Sequence, residues 1–403
     1  MQHYWRLACV YAAYFAVLGA MVPYWSLYLH AREFNPAEIG ILLAIPTLTK
    51  IMVPNLWGYI ADRSGHYKGI IVLGALGAWL AFSGIYWAQN FAAIILVMTL
   101  YSAFWNAILP QFEALTLHSL AHQPESYTRI RLWGSLGFIA LVLGLGWLFD
   151  RLSVLNLPII LTALITLLCV VCVGLPPVEL HRSTVVPQTL KSVMADAQVR
   201  RFFVSTLLYQ ASHGIYYGFY SIYLHQHGYS ASVIGALWTL GVAAEIVLFW
   251  WIPKVLPSLN LPRTAQLCML VAAVRWTLIG FTVDYWPCLI LLQLLHAVTF
   301  GLFHASSVQF IRQSFGPALQ GQGQALYGAI GYGAGGALGL WLCGLLWQIG
   351  SQWAFVFAVS CAFLAAGVQR GGVWQVLKKP PLLTRQLNHP CRRRHRGYLG
   401  RWI

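Results

Sequence analysis

The chain carries little charge, and acidic residues are the scarcest. Aspartate and glutamate together number 10 in 403 residues, and charged residues make up 9% of the sequence, against 59% that are hydrophobic. Soluble globular proteins carry about 25% charged residues because water surrounds their surface. So few charges cannot cover a surface of this size in water. The composition therefore predicts an integral membrane protein whose surroundings are a lipid bilayer.

The sequence also lacks the motifs of enzymes and pumps. It contains no G-x-S-x-G nucleophile turn, no H-E-x-x-H metal motif and no phosphate-binding loop. No polar stretch is long enough for a nucleotide-binding domain, which excludes an ATP-driven pump. Cys169 and Cys172 share a helix face, but no second pair completes a zinc site. We therefore expect no enzymatic activity, no metal and no cofactor.

Twelve apolar stretches are separated by short polar clusters. Each has roughly 20 residues or more, which is enough to cross a hydrocarbon core of ~30 Å at 1.5 Å per residue. Six precede a polar stretch near residue 190 and six follow it. The predicted spans are 5–29, 38–61, 69–89, 91–117, 131–149, 154–175, 202–224, 232–253, 264–282, 286–310, 323–347 and 351–369.

The two halves of the chain resemble each other at an offset of 195 residues. Residues 24–30 read YWSLYLH, and residues 219–225 read FYSIYLH. A weaker echo pairs LWGSLG at 132–137 with LYGAIG at 326–331. A head-to-tail duplication of apolar spans is typical of transporters whose halves move about a central site. We predict an all-α membrane protein with twelve transmembrane helices in two pseudo-symmetric six-helix bundles.

The distribution of the 25 lysines and arginines predicts the orientation. Only Arg32 and Arg151 fall in the loops that follow odd-numbered spans. Cationic loops stay in the cytoplasm, so we expect both termini to be cytoplasmic. The net charge of +15 then reflects topology, and it requires no nucleic-acid partner. The predicted units are a bundle at 1–176, a cytoplasmic linker at 177–200, a second bundle at 201–370 and a basic cytoplasmic tail at 371–403.

The short loop between spans two and three carries a family pattern. From position 58 it reads GYIADRSGHYK, which resembles the G-x-x-x-D-R-x-G-x-x-K cytoplasmic loop of the major facilitator superfamily. In that family the loop is a latch that stabilises one conformation of the transport cycle, and the resemblance assigns this role to Gly58, Asp62, Arg63, Gly65 and Lys68. We expect Gly58 to allow close helix packing and Gly65 to permit a tight turn. Asp62 and Arg63 would bridge to a neighbouring helix. The alternative is an ordinary charged turn.

Ionisable groups inside the spans are the first candidates for function. They cost several kcal/mol in lipid unless they are paired or face water. Arg131 joins them at the inner edge of span five. Those within predicted spans are Lys50, Glu113, His213, Glu245, Arg275, His296 and His304.

Glu113 and Arg131 resemble part of a substrate site. Residues 131–135 read RLWGS, which resembles the R-M-F-G-C stretch of the lactose permease branch of the superfamily. Glu113 lies eighteen residues before the arginine, as the substrate-binding glutamate of that branch does. The resemblance implies that both residues contact substrate. The alternative is a salt bridge that only orients spans four and five.

The second half carries a further part of the permease pattern, with two departures. Glu245, Arg275 and His296 lie on spans eight, nine and ten, where that branch uses Glu, Arg and His for sugar binding and proton coupling. Thr299 stands where the branch has its proton-carrying glutamate, and Gln293 where it has a lysine. Protons must then be carried elsewhere.

Glu245 is the expected proton carrier. A carboxyl whose distance from Arg275 changes can bind a proton in one state and release it in another. His296 and His304, about 80° apart on a regular helix, offer a second route because imidazole titrates near neutral pH. The alternative for each histidine is a hydrogen bond between helices.

Several stretches resemble the bacterial 3-phenylpropionic acid transporter group more closely. They are QASHGIYYGF from position 210, GVAAE ending at Glu245 and VRW around Arg275, together with His296 and His304. The resemblance covers about residues 5–370. It implies a symporter of the bacterial inner membrane that is driven by the proton gradient and imports a small aromatic carboxylic acid. A sugar or nucleoside permease and a non-transporting sensor are the alternatives.

The aromatic residues fit such a ligand. His213, Tyr216 and Tyr217 lie deep enough in span seven to line a cavity, where rings stack on a phenyl group. Either Arg131 or Arg275 would hold the carboxylate. Tyr28 and Tyr223 lie near span ends, so we expect them to be interfacial anchors. A monomer suffices for this architecture.

Overall fold

The computed structural model describes residues 3–120, 126–176 and 190–376, and within these ranges it contains helices and no strand. The first half has six spans as predicted. The predicted boundaries agree to within about five residues. The spans, numbered in chain order, are Tyr4–Ala31, Pro36–Ser64, Tyr67–Tyr86, Phe91–Ser119, Ser126–Phe149 and Val154–Val173.

The second half repeats the arrangement with one interrupted helix. Span seven comprises Ala197–Ser212, Ile215–Phe219 and Tyr220–Gln226. It begins inside the predicted linker, after the short helix Leu190–Met194. Residues 177–189 of that linker, and residues 377–403 of the predicted basic tail, lie outside the described residues. Spans eight to twelve are Ala231–Ser258, Leu261–Thr282, Trp286–Gly316, Leu319–Ile349 and Ser351–Arg370.

Polar caps fix where several spans begin. Asn35 accepts a hydrogen bond from the Glu38 backbone N–H, and the Glu38 carboxylate accepts one from the Asn35 N–H. Spans four, eight and nine are capped by Asn90, Ser230 and Asn260, whose side chains each accept a hydrogen bond from a backbone N–H of the first turn. A side-chain oxygen at this position satisfies a backbone donor that has no partner inside the helix. The loops between apolar spans therefore define the ends of the helices.

Irregular helix turns occur at the centre of four spans. Span two changes to a 3₁₀ turn at Thr49–Ile51, shortly after Pro46. Spans seven, ten and eleven contain π-helical segments at Ile215–Phe219, Ala297–Leu302 and Gly328–Gly335. Such segments often occur at functional sites. The irregular turns of spans two and eleven meet at the interface between the two halves, where Ile51 lies against Gly333.

The two halves pack together at the end of the molecule that carries the loops after odd-numbered spans. A Cβ at Gly40 of span two would lie 2.6 Å from the Leu340 carbonyl oxygen of span eleven. A Cβ at Gly146 of span five would lie 2.8 Å from the Ala231 carbonyl oxygen of span eight. Glycine permits such backbone contact because it has no side chain. We call this end, where spans two and eleven and spans five and eight meet, the closed end.

Candidate functional site

Arg275 of span nine is the centre of a buried polar cluster in the second half. Its side chain is fully buried, and its guanidinium donates to Gln293 Oε1 at 3.0 Å and to Thr299 Oγ1 at 3.0 Å. It also donates to His296 Nδ1 at 3.3 Å. Gln293 and Thr299 are the two positions that depart from the permease pattern. Neutral side chains therefore hold this arginine, and no carboxylate in the described chain lies within 4.0 Å of it.

Aromatic rings complete the surroundings of Arg275. Its guanidinium carbon lies 4.5 Å from the ring centre of Tyr216 and 4.8 Å from that of Trp276. Cation–π contacts of this kind stabilise a desolvated arginine. The Tyr216 hydroxyl donates to Gln293 Oε1 at 3.1 Å, and Tyr216 is 1% exposed. Tyr216 is thus a buried member of the cluster, whereas Tyr217 is partly exposed.

The hydrogen bond from Arg275 fixes the protonation of His296. A guanidinium can only donate, so His296 Nδ1 must accept, and a neutral His296 then carries its hydrogen on Nε2. That nitrogen lies 3.9 Å from Glu245 Oε2 of span eight. The contact joins spans eight and ten beside the arginine cluster. Glu245 and His296, predicted together as proton-coupling residues, do lie side by side.

His296 and His304 form a ladder with Phe300 between them. The ring of Phe300 lies 5.3 Å from His296 with an interplanar angle of 7°, and 6.1 Å from His304 with an angle of 6°. The expected 80° separation of the two histidines is wrong. The π-helical segment Ala297–Leu302 widens the turn between them and brings both rings to one face.

His304 ends this ladder among tyrosine hydroxyls. Its Nδ1 lies 3.2 Å from the Tyr332 hydroxyl and 3.3 Å from the Tyr327 hydroxyl. His304, Phe300 and Tyr332 are all partly exposed, in contrast to the buried His296. Tyr332 belongs to the π segment of span eleven. This part of the ladder forms an accessible aromatic wall.

His213 does not lie on that wall. It is 1% exposed, and its Nδ1 donates to the Tyr209 carbonyl oxygen at 2.9 Å. Its Nε2 is buried and has no hydrogen-bond partner in the described chain. The ring packs edge-on against Trp276 at 5.1 Å. His213 is therefore placed behind the Arg275 cluster.

Arg131 of span five is a cation of the first half that acts on residues of the second. Its guanidinium carbon lies 4.2 Å from the ring centre of Phe15. The predicted ion pair with Glu113 is not formed within 4.0 Å in the described residues. The arginine instead acts electrostatically on Glu113 and, across the interface, on Glu245 and His304.

The predicted latch loop is present, but its contacts are local. Gly65 ends the helix with φ +71°, the left-handed conformation that favours glycine. Asp62 accepts a hydrogen bond from the Tyr67 hydroxyl, and Arg63 donates to the Tyr59 hydroxyl at 2.9 Å. Asp62 of span two thus bridges to Tyr67 at the start of span three, as expected, whereas Arg63 contacts a residue of its own span.

The close helix packing expected at Gly58 is not observed among the residues that the structure describes. A Cβ there would meet only Gln111 Nε2 at 3.8 Å, an ordinary contact. Lys68 is partly exposed beside the loop. Close glycine contacts between the halves occur at the closed end instead.

Comparison with known proteins identifies the family. Residues 4–357 match the model of the MFS_1 like family. The chain belongs to this family of major facilitator transporters. A protein of Escherichia coli (strain K12) described as a probable 3-phenylpropionic acid transporter is 31% identical over 358 residues, covering 85% of this chain and 90% of that protein. The maltose permease of Geobacillus stearothermophilus is 25% identical over 355 residues, covering 86% and 89%.

Solved structures agree on the architecture of this MFS_1-like chain. A crystal structure of a mutant nucleoside transporter NupG has a TM-score of 0.83 at 17% identity, over 91% of this chain and 99% of that one. At this identity the similarity concerns the fold. The predictions of family, of a twelve-helix fold and of a transporter rather than an enzyme are confirmed. The protein is a multi-pass membrane transporter for small molecules.

Proposed function

We propose that this chain is a proton symporter that imports a small aromatic monocarboxylate of the 3-phenylpropionate type. The observation that carries the proposal is the contact between Glu245 and His296, with Arg275 fixing the histidine from its other side. The E. coli relative with its printed description supports the substrate class. The positive-inside rule supports a bacterial inner membrane orientation with cytoplasmic termini. The closed end then faces outward.

Glu245 is suited to carry the proton because its neighbours distinguish its two charge states. An ionised Glu245 attracts the Nε2–H of His296 and the charge of Arg131 in the other half. A protonated Glu245 loses most of both attractions. His296 is the poorer acceptor, since a second proton on Nδ1 would have to displace the donating guanidinium of Arg275. Proton occupancy of Glu245 thereby changes the attraction between the halves.

The substrate site lies next to this carboxyl. The partly exposed rings of Tyr217, Phe300, His304 and Tyr332 offer an aromatic wall on which a phenyl group stacks. Arg131 of the first half acts electrostatically on His304 of this wall and on Glu113, and we assign Arg131 and Glu113 to the substrate site. The rings of His213 and Tyr216 pack against Tyr217. The residues assigned to the site come from the two halves of one chain, so a monomer is the functional unit we propose.

The pH gradient supplies the driving force, because one proton that enters together with one monocarboxylate anion moves no net charge. A gradient of one pH unit contributes about 1.4 kcal/mol, which corresponds to about tenfold accumulation. The conformation with its outer end closed is then the one that releases proton and acid to the cytoplasm. No cofactor is part of this scheme.

Uptake of labelled 3-phenylpropionate into proteoliposomes tests the proposal. We expect accumulation with an inward proton gradient, and none after a protonophore is added. Protein-free liposomes measure the passive entry of the uncharged acid. Equal uptake with and without the gradient would contradict symport.

A sugar or nucleoside permease is the second candidate. The relation to maltose permease favours it, because the identity spans 86% of the chain. Competition by maltose or uridine, with no competition by 3-phenylpropionate, would establish this alternative.

A further inference from the structure

Lys50 lies at the centre of span two, in a 3₁₀ turn that interrupts the α-helix. The 3₁₀ turn Thr49–Ile51 follows Pro46, which cannot donate a backbone hydrogen bond. The Asn106 amide of span four donates to the Pro46 carbonyl oxygen at 3.2 Å and to Thr49 Oγ1 at 2.9 Å. Asn106 is 6% exposed. A buried amide on a neighbouring helix therefore holds the backbone in this shape and sets the position of Lys50.

The neighbours of Lys50 show which way its side chain faces. Ile51 meets Gly333 of span eleven, since a Cβ at Gly333 would lie 2.7 Å from Ile51 Cγ1. Thr49 faces span four through its contact with Asn106. Leu48 and Met52 lie on the opposite side of the helix from Lys50 and are 55% and 75% exposed. Apolar side chains thus occupy the lipid side, and Lys50 lies between spans four and eleven.

Lys50 is exposed and unpaired, unlike the other two cations of the interior. It makes no hydrogen bond, ion pair or ring contact with any described residue. Arg275 donates hydrogen bonds to Gln293, Thr299 and His296. The guanidinium carbon of Arg131 lies 4.2 Å from the ring centre of Phe15. An ammonium at mid-membrane depth is costly unless it faces a water-filled cavity or meets an anion.

We infer that Lys50 is the anion-binding residue of the transport site and pairs with the carboxylate of the substrate. The inference rests on the proposed function and assigns the carboxylate to Lys50 rather than to Arg131 or Arg275. The chemical class that fits is a small monocarboxylate, because a single ammonium presents one charge. Ile51 meets the π segment that also carries Tyr332, so a phenyl group attached to that carboxylate reaches the aromatic wall of the second half.

This assignment also gives the bound acid a role in the cycle. The substrate bridges span two of the first half and span eleven of the second, the pair that closes the outer end. A neutral analogue of the same shape stacks on the same rings but leaves Lys50 unpaired. Affinity for acid and for amide should therefore respond differently when the lysine charge is removed.

The test compares 3-phenylpropionate with 3-phenylpropanamide. Binding to purified full-length protein is measured by intrinsic fluorescence for wild type, Lys50→Gln, Lys50→Arg and the control Lys254→Gln. Lys254 is an exposed residue near the end of span eight. We expect Lys50→Gln to raise the Kd for the acid about tenfold or more, a change of about 1.4 kcal/mol, and the Kd for the amide to change less than about twofold. Lys50→Arg and Lys254→Gln should retain binding of the acid.

Three results would overturn the inference. The first is a Lys50→Gln protein that binds the acid as wild type does. The second is an equal loss of acid and amide in protein with a normal size-exclusion profile, which would indicate a packing role. The third is a wild type that binds neither 3-phenylpropionate nor benzoate nor butyrate. If wild type binds butyrate alone and Lys50→Gln loses it, the inference stands while the proposed aromatic substrate fails.

Discussion

The Asp150 carboxylate at the end of span five accepts a hydrogen bond from the Ser232 backbone N–H at the start of span eight, at 3.1 Å. The bond joins the two halves at the closed end. Burial alone would raise the pKa of Asp150, but hydrogen bonds from Ser232, Ala231 and Ser230 outweigh it and lower the pKa below its usual value. The positive end of the span eight helix also favours a carboxylate here. Asp150 therefore stabilises the closed end while it is ionised.

Replacing this carboxylate should open the closed end. We expect Asp150→Ala to increase the fraction of outward-open protein a few-fold, measured by spin-label distances between positions 89 and 285, which are exposed in loops of the two halves at this end. Glu33→Gln removes an acid from an exposed loop at the same end and is the matched control. An unchanged distance distribution in Asp150→Ala would contradict the role of this carboxylate.

The direction of the pKa shift also predicts a pH dependence. A carboxyl with a lowered pKa contributes its full stabilisation above its usual pKa, and this contribution is lost as pH falls through the lowered value. The contact should therefore be constant between about pH 5 and 8, because Asp stays ionised there. Spin-label distances recorded across that range should not change through Asp150. A change within it that Asp150→Ala abolishes would be contrary evidence.

Backbone contact between Gly40 and Gly344 should be required for closure. A Cβ at Gly40 would lie 3.0 Å from Gly344 Cα, besides the Leu340 oxygen at 2.6 Å. We expect Gly40→Ala to hold the outer end open and to reduce the uptake rate. Gly144→Ala is the matched control, since nothing lies within 4 Å of a Cβ there. Equal uptake rates in the two variants would show that spans two and eleven need not approach so closely.

The fork geometry of Arg275 should matter as much as its charge. Lysine keeps the charge but cannot donate in parallel to Gln293 and Thr299. We expect Arg275→Lys to destabilise the protein by about 1–3 kcal/mol for each buried acceptor left unpaired, seen as a lower Tm in detergent. Arg312→Lys, at an exposed position, should leave Tm unchanged. Equal Tm values for both variants would contradict the proposed importance of the cluster.

Phe300 should distinguish aromatic from aliphatic acids. Stacking pairs contribute about 0.5–1.5 kcal/mol beyond burial, so Phe300→Leu should raise the KM for 3-phenylpropionate several-fold. The KM for hexanoate should stay the same. Phe281→Leu, at a ring that is 86% exposed, is the control. A parallel change for both acids would argue against stacking on this ring.

Much of the architecture follows from the sequence because apolar length and the internal repeat define the spans. The closed end does not follow from it, since glycine contacts such as Gly40 with Leu340 depend on how two distant spans cross. The π-helical segments cannot be predicted from the sequence either. A prediction made with regular helix geometry therefore places His296 and His304 on different faces. Phe300, at four residues from each histidine, is the sequence signal for the ladder.

The tyrosines at the span ends show the same limit. The sequence predicts Tyr28 and Tyr223 at the lipid interface, where such rings are common. Tyr28 is 3% exposed and stacks on Trp25, and Tyr223 is 5% exposed and donates to the Gly280 carbonyl oxygen at 3.0 Å. Tyr28 is thus buried against its own span, and Tyr223 joins spans seven and nine. Composition predicts that a tyrosine lies near a membrane surface but not which neighbour covers it.

The residue types of the candidate site are easier to predict than its contacts. The sequence predicts that Glu245, His296 and Arg275 act together, and they lie within one cluster. The partners that hold Arg275, Gln293 and Thr299, stand out in the sequence only as departures from a pattern. A neutral side chain that compensates a buried charge carries no signal of its own in a single sequence.

The central claim is that Glu245 couples the proton to the acid, and substrate-induced proton movement tests it most directly. On addition of 3-phenylpropionate to proteoliposomes without a gradient, wild type and the control Glu33→Gln should raise the external pH as protons enter with the acid. Glu245→Gln should give no pH change and no gradient-driven accumulation beyond those of protein-free liposomes, which measure passive entry of the uncharged acid, while it still exchanges labelled for unlabelled acid. Proton entry that persists in Glu245→Gln would contradict the account.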